Sequence, residues 1–174
     1  MTSFIIDAHL NRKMPAQWKS DASFCAFCRI IFEGASAHKV YENENVIAIL
    51  DILPLRRGHV LVIPKTHISR LSDLPPKLAG SMGEAVSKVA DALTKALDHT
   101  ALNVVCNQEY AQAVPHVHYH IVPAPKLSGP ESEPIAPPLA PVSMGEMHRR
   151  EFLGREELDD EEAEVLCRII RSKL

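Results

Sequence analysis

The 174-residue chain has no apolar run approaching the ~20 residues that a membrane span requires. It has no surplus of positive charge either: 19 Lys and Arg stand against 22 Asp and Glu, a formal net charge of −3. That excludes the basic footprint of a protein that coats extended nucleic acid, while a mononucleotide or a DNA end stays open. The apolar start Phe4-Ile5-Ile6 stops at Asp7, too short for a secretory signal. No internal repeat is visible. Against these absences, 46% apolar and 24% charged residues are ordinary for a soluble globular protein, and the length allows one domain plus tails. Two residue types are plentiful: 9 His and 13 Pro.

Pro123, Pro125, Pro130, Pro134, Pro137, Pro138 and Pro141 crowd one stretch that also carries Ser128, Gly129 and Ser132. Proline fixes φ and lacks an N–H donor, so the stretch is neither a helix interior nor a central strand. It reads as an extended linker rather than an SH3-type ligand. The expected organisation is a tail over 1–22, a domain over 23–125, a linker over 126–145 and a helical extension over 146–174. In that extension the helix is predicted from Glu156 to Leu174, with Leu158, Val165, Leu166, Ile169 and Ile170 as its apolar stripe. Acidic residues at its start and basic ones at its end complement the helix dipole. A helix of this length is marginal alone, so it is expected to pack on its own domain or on a partner.

Within the domain, strands are predicted at Val40-Tyr41, Val46 to Leu50, His59 to Pro64, Leu102 to Cys106 and Val117 to Val122. A helix follows Pro75-Pro76, with Val86, Val89, Ala90, Leu93 and Leu97 on one face. About five strands around one long helix predict an α+β fold with a mostly antiparallel sheet.

Three histidines alternate in P-H-V-H-Y-H-I-V: His116, His118 and His120. On a strand, alternate side chains share a face. Three imidazoles on one face make poor core, because each needs hydrogen-bond partners when buried. Two chemistries suit such an array. One is metal ligation by neutral imidazole. The other is attack of one imidazole on phosphorus while its neighbours stabilise the oxygens. Spacing alone does not choose between them. Elsewhere, Cys25-x-x-Cys28 has the spacing of a zinc knuckle or a redox pair, and no thioredoxin-like βαβ context favours redox. Cys106 and Cys167 read as small apolar residues in a reducing compartment, the cytoplasm or nucleus.

H-V-H-Y-H-I-V resembles the His-x-His-x-His signature of the histidine triad family of nucleotide hydrolases and transferases. Leu50 to His67, Cys25 to Ile30 and Lys39 to Glu44 resemble that family's other blocks, in order, over about residues 23–124. The resemblance implies a histidine triad fold in which His118 is the nucleophile toward the α-phosphorus. It implies that His120 and His59 contact the phosphate and that Asp51 binds ribose hydroxyls. Phe27, Ile30, Ile49 and Ile52 fall where the family forms an apolar slot for the base. Asn107 and Gln112 lie in the segment that bonds the phosphate or the leaving group. That segment departs from the pattern, with Ala111 where glycine is common and Ala113 where a hydroxyl residue is frequent.

The same resemblance implies a structural zinc on Cys25, Cys28, His67 and His116, and a homodimer sharing a ten-stranded sheet. The substrates it implies are purine nucleoside phosphoramidates or related adenylates. A dinucleoside polyphosphate hydrolase, or a nucleotide-binding protein with weak catalysis, is the alternative. His9, His38, His99 and His148 receive no role.

Overall fold

The computed structural model describes residues 25–109, 111–124 and 144–174. The expected tail lies outside the described residues, as does the expected linker up to residue 143. A short helix α1 (Ala26–Phe32) leads into β1 (Lys39–Glu42), β2 (Val46–Leu50) and β3 (Val60–Pro64). The long helix α2 (Pro76–Leu97) follows, then β4 (Leu102–Cys106), β5 (Tyr119–Pro123), α3 (Met144–Leu153) and α4 (Asp160–Arg171). The strands form one five-stranded antiparallel sheet in the order β1-β2-β3-β5-β4.

Every residue of β2 and β3 is buried, because both faces of the sheet centre are covered. Val46, Ala48, Leu50, Val60, Val62 and Ile121 belong to the core cluster that includes α2 and α4. Ile47, Ile49, Leu61 and Ile63 belong to the opposite cluster, with Cys25, Phe27 and Cys28 around α1. The period of two thus assigns His59, two residues before Leu61, to the α1 side. Gly58 before it has φ 85°, and a Cβ there would meet Leu97 Cδ1 at 2.8 Å. Glycine is therefore what lets the chain enter β3 at this point.

α2 begins with Pro76 at its first turn and ends at Asp98 in the left-handed region. Its inward stripe is Met82, Ala85, Val89, Ala92 and Leu93, with Val86, Ala90 and Leu97 partly buried beside it.

The C-terminal region differs from expectation in three ways. First, α3 already includes Met144 and Gly145, the last residues of the expected linker, and its helix has no counterpart in the sequence reading. Secondly, the final helix starts at Asp160 rather than Glu156. Asp159 is its N-cap, its carboxylate accepting the Glu162 N–H at 3.0 Å. Thirdly, its buried stripe is Ala163, Leu166, Cys167 and Ile170, while Val165 is 45% exposed. The spacing of i, i+3, i+4 and i+7 places Val165 on the outer face. Those four residues join the same core cluster as the sheet and α2.

Candidate functional site

The site grows from the segment before β5. The strand is predicted from Val117 but is paired only from Tyr119, because the Val117 N–H donates to Ile68 O at 2.7 Å instead of to a sheet neighbour. The alternation survives. Phe27 of α1 stands edge-on to His116 and His118, with ring centroids at 5.8 and 5.2 Å. His118 and His120 lie 4.9 Å apart, and His59 and His120 5.2 Å apart. His116, His118, His120 and His59 therefore gather on the α1 side.

Fixed donors and acceptors decide which ring nitrogens carry protons. His118 Nδ1 lies 2.6 Å from His116 O, and a carbonyl only accepts. Nδ1 is thus the protonated nitrogen, and Nε2 keeps its lone pair. At His59 the logic reverses. The Leu55 N–H donates to Nδ1 at 3.2 Å, so the proton sits on Nε2, which donates to His120 Nδ1 at 2.9 Å. His120 is left with its N–H on Nε2. Burial pushes His59 down to about 3, helped by the charges of Arg155, His118 and Arg56. Burial likewise pushes His120 down to about 2 and lowers His118, the latter partly offset by its bond to His116 O and by Asp51. These rings are neutral at physiological pH, as both a nucleophile and an N–H donor of this kind require.

Asp51 follows β2, its Oδ1 accepting the Leu53 N–H at 2.9 Å and its Oδ2 standing 3.4 Å from His59 Nδ1. Burial raises its carboxyl above the usual range, against the Leu53 bond and the charges of Arg155 and His118. Phe27 and Ile49 are buried in the α1-side cluster, and Ile30 packs on it partly buried. Ile52 stands 62% exposed, apart from that cluster. Asn107 follows the end of β4.

Gln112 is buried inside the loop rather than presented to a ligand. Its Oε1 accepts the Glu109 N–H at 2.8 Å, and its Nε2 donates to Ser69 O at 2.9 Å and His116 O at 3.3 Å. It braces the carbonyl that orients His118. The same loop holds Glu109 and Ala111 at φ 59° and 57°, a left-handed conformation that side chains resist.

Beside the histidines lies a second cluster. Cys25 Sγ is 3.4 Å from His116 Nδ1, Cys28 Sγ is 3.2 Å from His67 Nδ1, and Cys28 Sγ is 3.7 Å from His116 Nδ1. Metal bonds of roughly 2.3 Å to sulfur and 2.0 Å to nitrogen, at tetrahedral angles, would space S and N by about 3.5 Å. The four donor atoms all lie within 4.8 Å of one another. His116 Nε2 donates to Pro64 O at 2.8 Å, which leaves Nδ1 as an acceptor aimed at both sulfurs. Burial, followed by Cys25, pushes the Cys28 thiol up to about 12, so thiolates here need a cation. The donor set fits zinc with no open position. Among the described residues Cys106 and Cys167 are free cysteines too, outside this set.

The HIT domain family matches residues 33–127. The chain belongs to the histidine triad family. This histidine triad protein is 41% identical over 104 residues to "Protein hit" of Bacillus subtilis, covering 59% of this chain and 72% of that one. It is 37% identical over 101 residues to the adenylylsulfatase HINT3 of Arabidopsis thaliana, covering 57% of this chain and 51% of that one. A zinc-bound histidine triad protein from Mycobacterium smegmatis superimposes with a TM-score of 0.64 at 31% identity, covering 88% of this chain and 94% of that one. A hypothetical histidine triad nucleotide-binding protein from Sulfolobus tokodaii gives 0.69 at 28% identity, over 86% and 91%.

For this histidine triad protein, sequence reasoning missed Arg155. Its charge acts on both Asp51 and His59, from the turn between α3 and α4. The signal was absent because the residue lies 35 positions beyond His120 in a stretch that gives no strand or triad pattern. Of the histidines without a role, His38 Nε2 lies 3.0 Å from Asp160 Oδ1, and His99 Nε2 donates to Ala124 O at 3.1 Å. Among the described residues no helix is long and apolar enough to cross a membrane.

Proposed function

We propose that this histidine triad protein is a nucleotide hydrolase or transferase that cleaves at the α-phosphorus of nucleoside 5′-phosphoramidates or related adenylates. The observation that carries this reading is the 2.6 Å bond from His118 Nδ1 to His116 O, which leaves Nε2 as a free lone pair in a neutral ring. His118 Nε2 forms a bond to phosphorus, and the bond to the leaving group breaks with its electron pair, an amine leaving group taking a proton from solvent as it departs. Water then attacks the phosphorus and releases a proton to solvent, the P–N bond breaks, and its electrons return to Nε2. The His120 N–H, held outward by His59, donates to the phosphate oxygens as charge develops. Asp51 takes the ribose hydroxyls, and Phe27, Ile30, Ile49 and Ile52 the purine. In this reading Asn107, just after β4, bonds the phosphate or leaving group, while Gln112 acts through the His116 carbonyl.

Zinc on Cys25, Cys28, His67 and His116 would supply a crosslink between α1 and the strand of the nucleophile, not a Lewis acid. A homodimer fits the same reading, because β4 is a sheet edge carrying the 41%-exposed Val104. Free cysteines suit a reducing compartment such as the cytoplasm. The relationship to an adenylylsulfatase supports adenylates as substrates. The left-handed Ala111 and the missing hydroxyl at Ala113 favour, as a second reading, nucleotide binding with weak catalysis.

The test is a substrate panel of adenosine 5′-phosphoramidate, adenylyl sulfate and a diadenosine polyphosphate, with acid-quench trapping of a nucleotidyl adduct. The adduct is expected on His118 and absent in His118→Ala, whose turnover should fall by roughly 10³-fold or more. Full turnover by that variant refutes the mechanism. Faster cleavage of the diadenosine polyphosphate assigns the other substrate class, and tight binding without turnover assigns the second reading.

A further inference from the structure

The site gathers the imidazoles of His59, His118 and His120, with His59 Nε2 donating to His120 Nδ1 at 2.9 Å. A nucleotide phosphate is an anion, and it gains negative charge on its oxygens when attacked. The described structure supplies a cation from outside the triad. The stretch joining α3 to α4 crosses the loop that follows β2, and three attachments fasten it there. The Leu158 N–H donates to Ile52 O at 2.9 Å, next to Asp51. Arg56 of that loop holds Glu151 of α3 through Nε at 3.2 Å and Nη2 at 2.5 Å, and donates Nη1 to Pro123 O at 3.1 Å. Arg57 holds Glu162 of α4 at 3.0 Å.

Arg155 lies between these fastenings. Its Nε donates to Phe152 O at 3.0 Å, and its guanidinium carbon sits 3.8 Å from the Phe152 ring centroid. The plane of the guanidinium is thereby fixed by stacking. Arg56, Arg57 and Arg70 each have a carboxylate partner, whereas the two Nη groups of Arg155 have none among the described residues. Of the charges that act on Asp51 and on His59, that of Arg155 is the largest at both. Arg155 thus belongs to a segment that docks beside Asp51 and lies beyond the family's own domain match, which ends at residue 127.

We infer that Arg155 binds the non-bridging oxygens of the nucleotide's α-phosphate, so that the C-terminal extension completes the site. The inference rests on the nucleotide reading above. Two parallel N–H···O bonds from a guanidinium to a phosphate are geometrically matched and charge-assisted.

Calorimetric binding of AMP and of adenosine to the full-length protein tests it without requiring turnover. Arg155→Gln is expected to weaken AMP by about 10- to 100-fold, the scale of hydrogen bonds to a charged group, and to leave adenosine unchanged. Arg155→Lys is expected to recover part of the AMP affinity, since it restores charge without the fork, and melting curves for both variants should match the wild type. Undiminished AMP binding in Arg155→Gln overturns the inference alone. Equal weakening of AMP and adenosine also overturns it, in favour of a merely structural role. Wild-type protein that binds neither ligand overturns the nucleotide reading itself. If Arg155→Gln does not fold, Arg155→Lys is read in its place, and AMP affinity equal to wild type with an unchanged salt dependence then overturns the inference.

Discussion

Replacing Ile170 with alanine should destabilise the whole protein, even though the residue lies 50 positions beyond the last histidine of the triad. Ile170 is fully buried, in one cluster with Leu166, Cys167, α2 and the central strands. The substitution removes three carbons, about 2.4 kcal/mol at ~0.8 kcal/mol per buried methylene. The cavity left behind raises the cost to about 3–4 kcal/mol. For a chain of this length each kcal/mol moves the melting temperature by about 2–4 °C, so a fall of roughly 6–16 °C is expected. Val165→Ala on the same helix, at a 45%-exposed position, is the control and should cost under ~1 kcal/mol. Urea unfolding followed by circular dichroism reads both, and a single transition with unchanged slope is expected for each. Equal losses in the two variants, or a separate transition for α4 with the rest unaffected, would refute the placement of α4 in the common core. The proposed division at residue 125 would then describe two independent units.

Two further outcomes can be checked on the same protein. If Cys25, Cys28, His67 and His116 hold zinc as proposed, removing it with a chelator should lower the melting temperature by roughly 8–16 °C, taking a metal held at a thousand times its dissociation constant as worth about 4 kcal/mol. Cys28→Ser should lose the metal by atomic absorption, and an unchanged melting curve after complete removal would refute the crosslink. Acid should also destabilise the fold through His59, whose folded value of about 3 lies below its ordinary 6.5, chiefly through burial. The unfolded chain takes up that proton first, so the contribution is whole above pH 6.5 and is lost as pH falls toward 3, by about 1.4 kcal/mol per unit. His59→Asn should therefore lose about 1 kcal/mol less than wild type between pH 6.5 and 5.5. Parallel curves for the two proteins would show His59 to be protonated in the native state.

The sheet was legible because its strands are short apolar runs ended by polar turns and proline. β2 and β4 coincide with the predicted stretches, and β3 differs by one residue. The face shared by His116, His118 and His120 followed from a period of two. What was not legible depended on distant partners. β5 starts late because Ile68 captures the Val117 N–H, and no local pattern records that. α3 is polar and held partly by Arg56 on Glu151, a bond across 95 positions. Val165 and Cys167 exchanged places in the expected stripe because only the packed core fixes the rotation of a helix. Gln112 lies in the expected loop, yet its amide turned inward to Ser69 and His116. Cys25 and Cys28 were legible from their spacing, but His67 and His116 joined the expected zinc set only through the family resemblance, since their positions in the chain alone would not have gathered them.

His116 has two ends with separate duties. Its ring faces the sulfurs of Cys25 and Cys28, while its carbonyl holds the proton of His118. Replacing the side chain removes the first duty directly and still leaves a carbonyl in place, since every amino acid supplies one. The second is reached by moving the backbone, and a bound metal gripping the ring would set that backbone's position. Metal occupancy would then be read out at His118, the nucleophile of the proposed reaction, as a change in which nitrogen is bare. A partly loaded preparation would behave as a mixture of two populations with different intrinsic activity, and its specific activity would report its metallation history.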